Sequence, residues 1–86
     1  MAQGFEFRHL RCFAVLAEEL HFGRAAEQSN LSASALSRLI QRLEHELGCR
    51  LFERSNRSVR LTRQGRVLQA QAEELIDRLT RLDRQL

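Results

Sequence analysis

Proline, tryptophan, tyrosine and lysine are absent from this sequence, and cysteine occurs only twice. Wholly apolar runs are only a few residues long, far short of a bilayer span. The opening "MAQGFEFRHLRCF" mixes charge into its first apolar stretch, so no signal peptide is expected and the cytoplasm is the expected location. Cys12 and Cys49 stand alone, with no CxxC and no His/Cys cluster at ligand spacing. They read as reduced thiols, Cys12 as a packed one beside Phe13, and no metal is expected. The only aromatics are five phenylalanines, mostly at apolar-patterned positions, whereas common RNA-binding modules bring stacking aromatics to their surface. No linker, repeat or low-complexity tract interrupts the chain.

What is present is ordinary globular material, 43% hydrophobic and 29% charged over 86 residues, enough for one small domain. All 14 basic residues are arginine, and they are unevenly spread. Arg50, Arg54, Arg57, Arg60, Arg63 and Arg66 face a single acid, Glu53, within that stretch, which leaves the rest of the chain net acidic. A basic patch of this kind points first to nucleic acid, then to a membrane surface or an acidic partner; an ordinary solvated face is the plain alternative.

The apolar periodicity predicts four helices and a hairpin. Leu10, Phe13, Ala14, Ala17 and Leu20 recur at helical spacing, giving a first helix over 8–20. A short second helix over 24–29 follows Phe22 and Gly23, with Ala25 and Ala26 small enough for close helix crossing. Ser32 is a good N-cap for a third helix reaching Leu47, with Gly48 as its C-terminal stop. Leu36, Leu39, Ile40, Leu43 and Leu47 form its apolar face, while Ser34, Ser37, Arg38, Gln41, Arg42 and His45 lie opposite. Two helices joined by a short turn, the second exposing a polar stripe, read as a helix-turn-helix. The apolar pairs Leu51/Phe52 and Val59/Leu61, separated by "RSNRS", read as a small hairpin. Thr62 then caps a last helix over 63–86, despite Gly65 in its first turn.

That last helix places Leu68, Ala72, Leu75, Leu79, Leu82 and Leu86 on a heptad seam, with Glu74–Arg78 and Asp77–Arg81 on its flanks. At 1.5 Å per residue it spans about 36 Å, more than a domain this small needs to cover itself. The simplest partner for the seam is the same helix of a second copy, although its far turns could instead fold back on the first helix.

Serine is a middling helix former, so its clustering at the start of the third helix asks for a reason. A B-DNA major groove admits a helix only where the leading face is slim. Ser34 and Ser37 supply short hydroxyls and Ala33 no bulk. Ser32 adds a cap whose neighbouring amides suit a phosphate. Arg38 is long enough for a bidentate contact to guanine or for a backbone phosphate; Gln41 is expected at base edges, and Arg24 and Arg42 at the backbone. Arg54, Ser55, Asn56 and Arg57 make a donor-rich hairpin tip suited to a narrow minor groove.

Taken together, "RAAE", "ALSRLIQRLEHELG", "LFER" and "LT" followed by a glycine resemble the DNA-binding domain of LysR-type transcriptional regulators, over nearly the whole chain from Phe7. The resemblance implies a mainly α winged helix-turn-helix over residues 1–62 and a linker and dimerisation helix over 63–86. It implies a bacterial regulator at the nucleoid, binding interrupted inverted repeats as a homodimer, with tetramers usual for full-length members and RNA polymerase a further partner. A larger effector-binding domain follows in the family, so a small-molecule effector is expected there and no cofactor in this domain. Ala33, Ser34, Ser37 and Arg38 match the family's base- and phosphate-contacting positions, and residues 54–57 its wing. The departures are Ala33 where glutamine is common, Gly23 where a hydroxyl residue is usual, and Ser29 in place of a larger apolar residue. The loss of glutamine implies either a different operator base at that position or readout by fewer direct contacts.

Two other classes remain on the sequence alone. Neither His9, His21 nor His45 pairs with a nucleophile and an orienting acid, and no phosphate-loop glycines occur, so no enzymatic activity is expected. The other is a winged helix that binds protein or RNA, or an assembly module with an incidental basic surface; a pure assembly module would have no need of the serine stripe.

Overall fold

The structure is a computed structural model describing residues 6–86; Phe5 and the start of the 1–62 segment lie outside the described residues. Its elements are α1 (Phe7–Glu19), α2 (Phe22–Gln28), α3 (Ala33–Leu47), β1 (Phe52–Arg54), β2 (Val59–Leu61) and α4 (Arg63–Gln85). Three helices, a two-stranded wing and a long C-terminal helix make a winged helix-turn-helix.

The core is assembled from one face of each element. α1 contributes Leu10, Phe13, Leu16 and Ala17, α3 contributes Leu36, Ile40 and Leu43, and the start of the wing contributes Leu51 and Phe52. The rings of Phe13 and Phe52 meet tilted, with centroids 5.4 Å apart, a favourable aromatic geometry. Ala25 and Ala26 are buried where α2 nests between α1 and α3, and only small side chains let the backbones come that close.

The ends of the elements follow local chemistry. α1 stops at Leu20, which takes the left-handed conformation (φ 52°) and closes its amide on the Leu16 carbonyl at 2.7 Å. That conformation is strained for a branched residue. α2 begins two residues earlier than the sequence pattern predicts, because Nδ1 of His21 accepts the Arg24 amide at 3.1 Å and serves as its cap. Ser32 Oγ accepts the Ala35 amide at 3.1 Å at the start of α3, and Gly48 ends that helix at φ 73°. Thr62 Oγ1 accepts the Gly65 amide at 3.0 Å and donates to the Arg50 carbonyl at 2.6 Å, so one hydroxyl both caps α4 and fastens it to the base of the wing.

Gly65 is a requirement of this junction. A Cβ there would overlap the Leu51 carbonyl oxygen and come within 2.9 Å of Leu61 Cδ2. The boundary at residue 62 marks where the wing gives way to helix, and it is not a packing boundary. Ala72, assigned to the dimer seam by its heptad position, is fully buried in the chain's own core, and Leu68 is half-buried against it. The spacing that marks a seam also faces the chain's own core, and α1 packs against α4. Cys12 and Cys49 are both free and half-buried.

The wing is held by a side chain that the apolar pattern passes over. Glu44 is buried on α3, and its Oε2 accepts the amides of Leu51 at 2.8 Å and Phe52 at 3.2 Å. Arg50 Nε lies 3.5 Å from the same oxygen. Removing a buried acceptor leaves its donors unpaired, at about 1–3 kcal/mol. Glu44→Ala is therefore expected to lower the unfolding free energy by about 1–3 kcal/mol in chemical denaturation, whereas a loss under about 0.5 kcal/mol would mean the wing is anchored elsewhere.

Candidate nucleic-acid interface

α3 is amphipathic, and the fold spends its apolar side on the core. Its outward side carries Ser34, Arg38, Gln41 and His45, four exposed residues that share one face by their spacing. Ser32, Ala33 and Ser34 are all exposed, so the first turn is slim. The Ser32 and Ser34 hydroxyls are 3.3 Å apart and bond to each other. Arg38, Gln41 and Arg42 make no hydrogen bond or ion pair among the described residues, which leaves their polar ends free for a ligand. Arg38 and Arg42 border a groove of about 480 Å³ that runs past His9 at the start of α1.

Arg24, at the exposed start of α2, lies 3.3 Å from Glu19 Oε1, and Glu19 also accepts from Gln28 Nε2 at 2.6 Å. The Arg24 side chain is 61% exposed, and such pairs are worth about 0–1 kcal/mol, so a phosphate can displace the carboxylate.

β1 and β2 pair antiparallel, with Phe52 opposite Leu61, Glu53 opposite Arg60 and Arg54 opposite Val59. Ser55 Oγ accepts the amides of Arg57 at 3.3 Å and Ser58 at 3.2 Å, which shapes the tip and holds Asn56 and Arg57 outward, both exposed.

Arg54 departs from its expected place at the tip. Its guanidinium lies over the Phe22 ring, 4.5 Å from the centroid, and Nη1 donates to Ser37 Oγ at 2.8 Å. Its Nε and Nη2 are buried and have no hydrogen-bond partner among the described residues. A stacking partner on α2 and a hydroxyl on α3 hold this cation at the wing–helix junction. The arginine cluster therefore divides. Arg50 turns to Glu44, Arg54 turns inward and Arg66 reaches the Leu61 carbonyl at 3.5 Å. Arg57, Arg60 and Arg63 keep exposed side chains without partners among the described residues.

On α4, Leu75, Leu79 and Leu82 are 44–50% exposed, and Leu86 is almost fully exposed. With Phe7 they line two adjoining grooves, Leu75 in one, Leu86 in the other and Leu79 and Leu82 in both, flanked by the Glu74–Arg78 and Asp77–Arg81 pairs at 3.5 and 2.9 Å. No group of three or more potential metal ligands occurs among the described residues.

Glu44 and His21 are the structural residues that pattern reading misses, together with the stacking of Arg54 on Phe22. Glu44 had a signal, since it continues the Leu36–Ile40 row at i+4, where a charge must find a partner inside. His21 gave none, because histidine is an uncommon N-cap, and the apolar pattern marks Phe22 for the core, where it packs, without showing that Arg54 would stack on it.

Residues 7–66 match the model of the bacterial regulatory helix-turn-helix proteins of the lysR family. The chain is 51% identical over 71 residues to the HTH-type transcriptional regulator YnfL of Escherichia coli (strain K12), covering 83% of this chain and 24% of that protein. It is 54% identical over 72 residues to the SDS degradation transcriptional activation protein of Pseudomonas sp. (strain ATCC 19151), covering 84% of this chain and 24% of that protein. The BenM DNA-binding domain in its catB site 1 DNA complex superposes with a TM-score of 0.89 at 37% identity, covering 94% of this chain and 90% of that one. The chain belongs to the LysR family of bacterial regulatory helix-turn-helix proteins. It spans about a quarter of the length of the curated relatives it matches.

Proposed function

We propose that this chain is the DNA-reading portion of a transcriptional regulator. It binds a preferred duplex sequence with α3 in the major groove and the wing tip at the minor groove. The observation that carries this reading is the exposed face of α3: a slim hydroxyl-bearing first turn followed by unpartnered Arg38 and Gln41. Support comes from its likeness to a domain solved as a DNA complex. Ser34, Ser37, Arg38 and Gln41 meet bases or phosphates, with Ala33 leaving room for close approach. Ser32, Arg24 and Arg42 serve the backbone, and Ser55, Asn56 and Arg57 serve the wing contact. No helix among the described residues is long and apolar enough to cross a membrane, which suits a regulator acting at the bacterial nucleoid. The domain carries no catalytic role. Effector binding is assigned to the length of the relatives that this chain does not span, as are tetramer formation and contacts with RNA polymerase.

Leu75, Leu79, Leu82 and Leu86 are the part of the seam left for a second copy, and pairing through them presents two recognition helices to an inverted repeat. Leu79→Asp is expected to halve the mass seen by light scattering; an unchanged dimer mass would move the interface elsewhere.

The chain should enrich a preferred duplex from a random pool, and its affinity should fall with salt by about 0.9 in log–log slope per phosphate met. Arg57→Ala should reduce that slope by about 0.9. Arg38→Ala should weaken the enriched duplex by about 1–3 kcal/mol without changing the melting temperature. Enrichment of no sequence would overturn the reading.

A further inference from the structure

A serine hydroxyl has one proton to give and two lone pairs to receive with, so on its own it does not distinguish a donor from an acceptor across a groove. Ser37 is not on its own. Arg54 Nη1 donates to its oxygen at 2.8 Å. That bond occupies a lone pair and leaves the proton outside. In helices, serine and threonine often spend that proton on the carbonyl four residues back, as Thr80 does toward Ile76 at 2.9 Å. Ser37 makes no such bond among the described residues.

The cation that sets this arrangement is itself held. Arg54 stacks on Phe22 at 4.5 Å and is fixed in β1 opposite Val59. Its Nε and Nη2 are buried, so it cannot lay them on a phosphate without leaving its site.

From this we infer that Arg54 is a positioning residue for the recognition helix rather than a DNA contact. It orients the Ser37 hydroxyl as an outward donor, so that Ser37 selects a hydrogen-bond acceptor on the nucleic acid, a base-edge acceptor or a phosphate oxygen. The neighbouring positive charge strengthens that donor. The inference deepens the DNA-binding reading and rests on it. It also makes the wing part of the reading head, because a β1 side chain determines what an α3 side chain offers.

A double-mutant cycle tests this, using the duplex that the wild-type chain enriches from a random pool. Arg54→Met keeps the length of the side chain and removes its donors. It should weaken binding about tenfold, the loss of one charge-assisted hydrogen bond, while leaving the salt slope unchanged. In a Ser37→Ala background the same substitution should cost less than about twofold. A slope that falls by about 0.9 would make Arg54 a direct phosphate contact, and an undiminished loss in the Ser37→Ala background would make it merely structural; either result overturns the inference. If Arg54→Met fails to fold by circular dichroism, Arg54→Leu runs the same cycle. A readout without DNA separates the two levels. In the free chain the Arg54 Nη protons should show hindered rotation by nitrogen-15 NMR, lost in Ser37→Ala. Free rotation in the wild type overturns the inference even if DNA is bound. Hindered rotation in a chain that enriches no duplex overturns the DNA reading, and with it the role assigned to the Ser37 proton.

Discussion

A buried carboxylate is costly unless it finds hydrogen-bond partners, and Glu44 finds them through Oε2, which accepts the amides at the root of the wing. The rest of the molecule is arranged around this fastening. With Leu51 and Phe52 drawn onto α3, the Phe52 ring can meet Phe13 of α1. The Leu51 carbonyl receives the Thr62 amide at 3.0 Å, and the Arg50 carbonyl receives the Thr62 hydroxyl. α4 can then start only where a glycine lets it pass. One polar anchor thus fixes the relative placement of recognition helix, wing and long helix, which apolar packing alone would leave adjustable.

A helix that must serve both a core and a ligand divides its surface by chemistry. α3 buries leucine and isoleucine on one side and exposes hydroxyls and arginine on the other. The wing divides likewise: Phe52 faces the core, Arg54 turns toward α2 and α3, and Asn56 and Arg57 remain outside. Charge counts alone overstate the cationic surface, because some of the arginines are occupied within the molecule.

Much of this was legible in the sequence where the governing physics is local. The caps of α3 and α4, the glycine stop at residue 48, the serine-rich face and the short hairpin all depend on residues within a turn of one another. The inward turn of Arg54 was not legible, because it needs Phe22 from α2 and Ser37, 17 positions away. Gly65 looked like a flaw in a helix until Leu51 came to rest against it. Ala72 looked like part of a seam because a heptad repeat states which residues share a face, and is silent about what that face meets. The start of α2 was misplaced for a local reason, since histidine is an uncommon N-cap.

From Arg66 onward α4 contains neither glycine nor proline, and it is rooted in the core at Ala72 before running clear of it. It behaves as a strut and not as a tether. In a paired molecule the separation of the two heads would be fixed by the length and phase of this rod. Inserting a single residue past Ala72 would lengthen it by about 1.5 Å and swing the far end through about 100°, as the pitch of an α-helix demands. If two copies pair as proposed, the gap between half-sites would be gauged by a ruler whose graduations are the turns of α4.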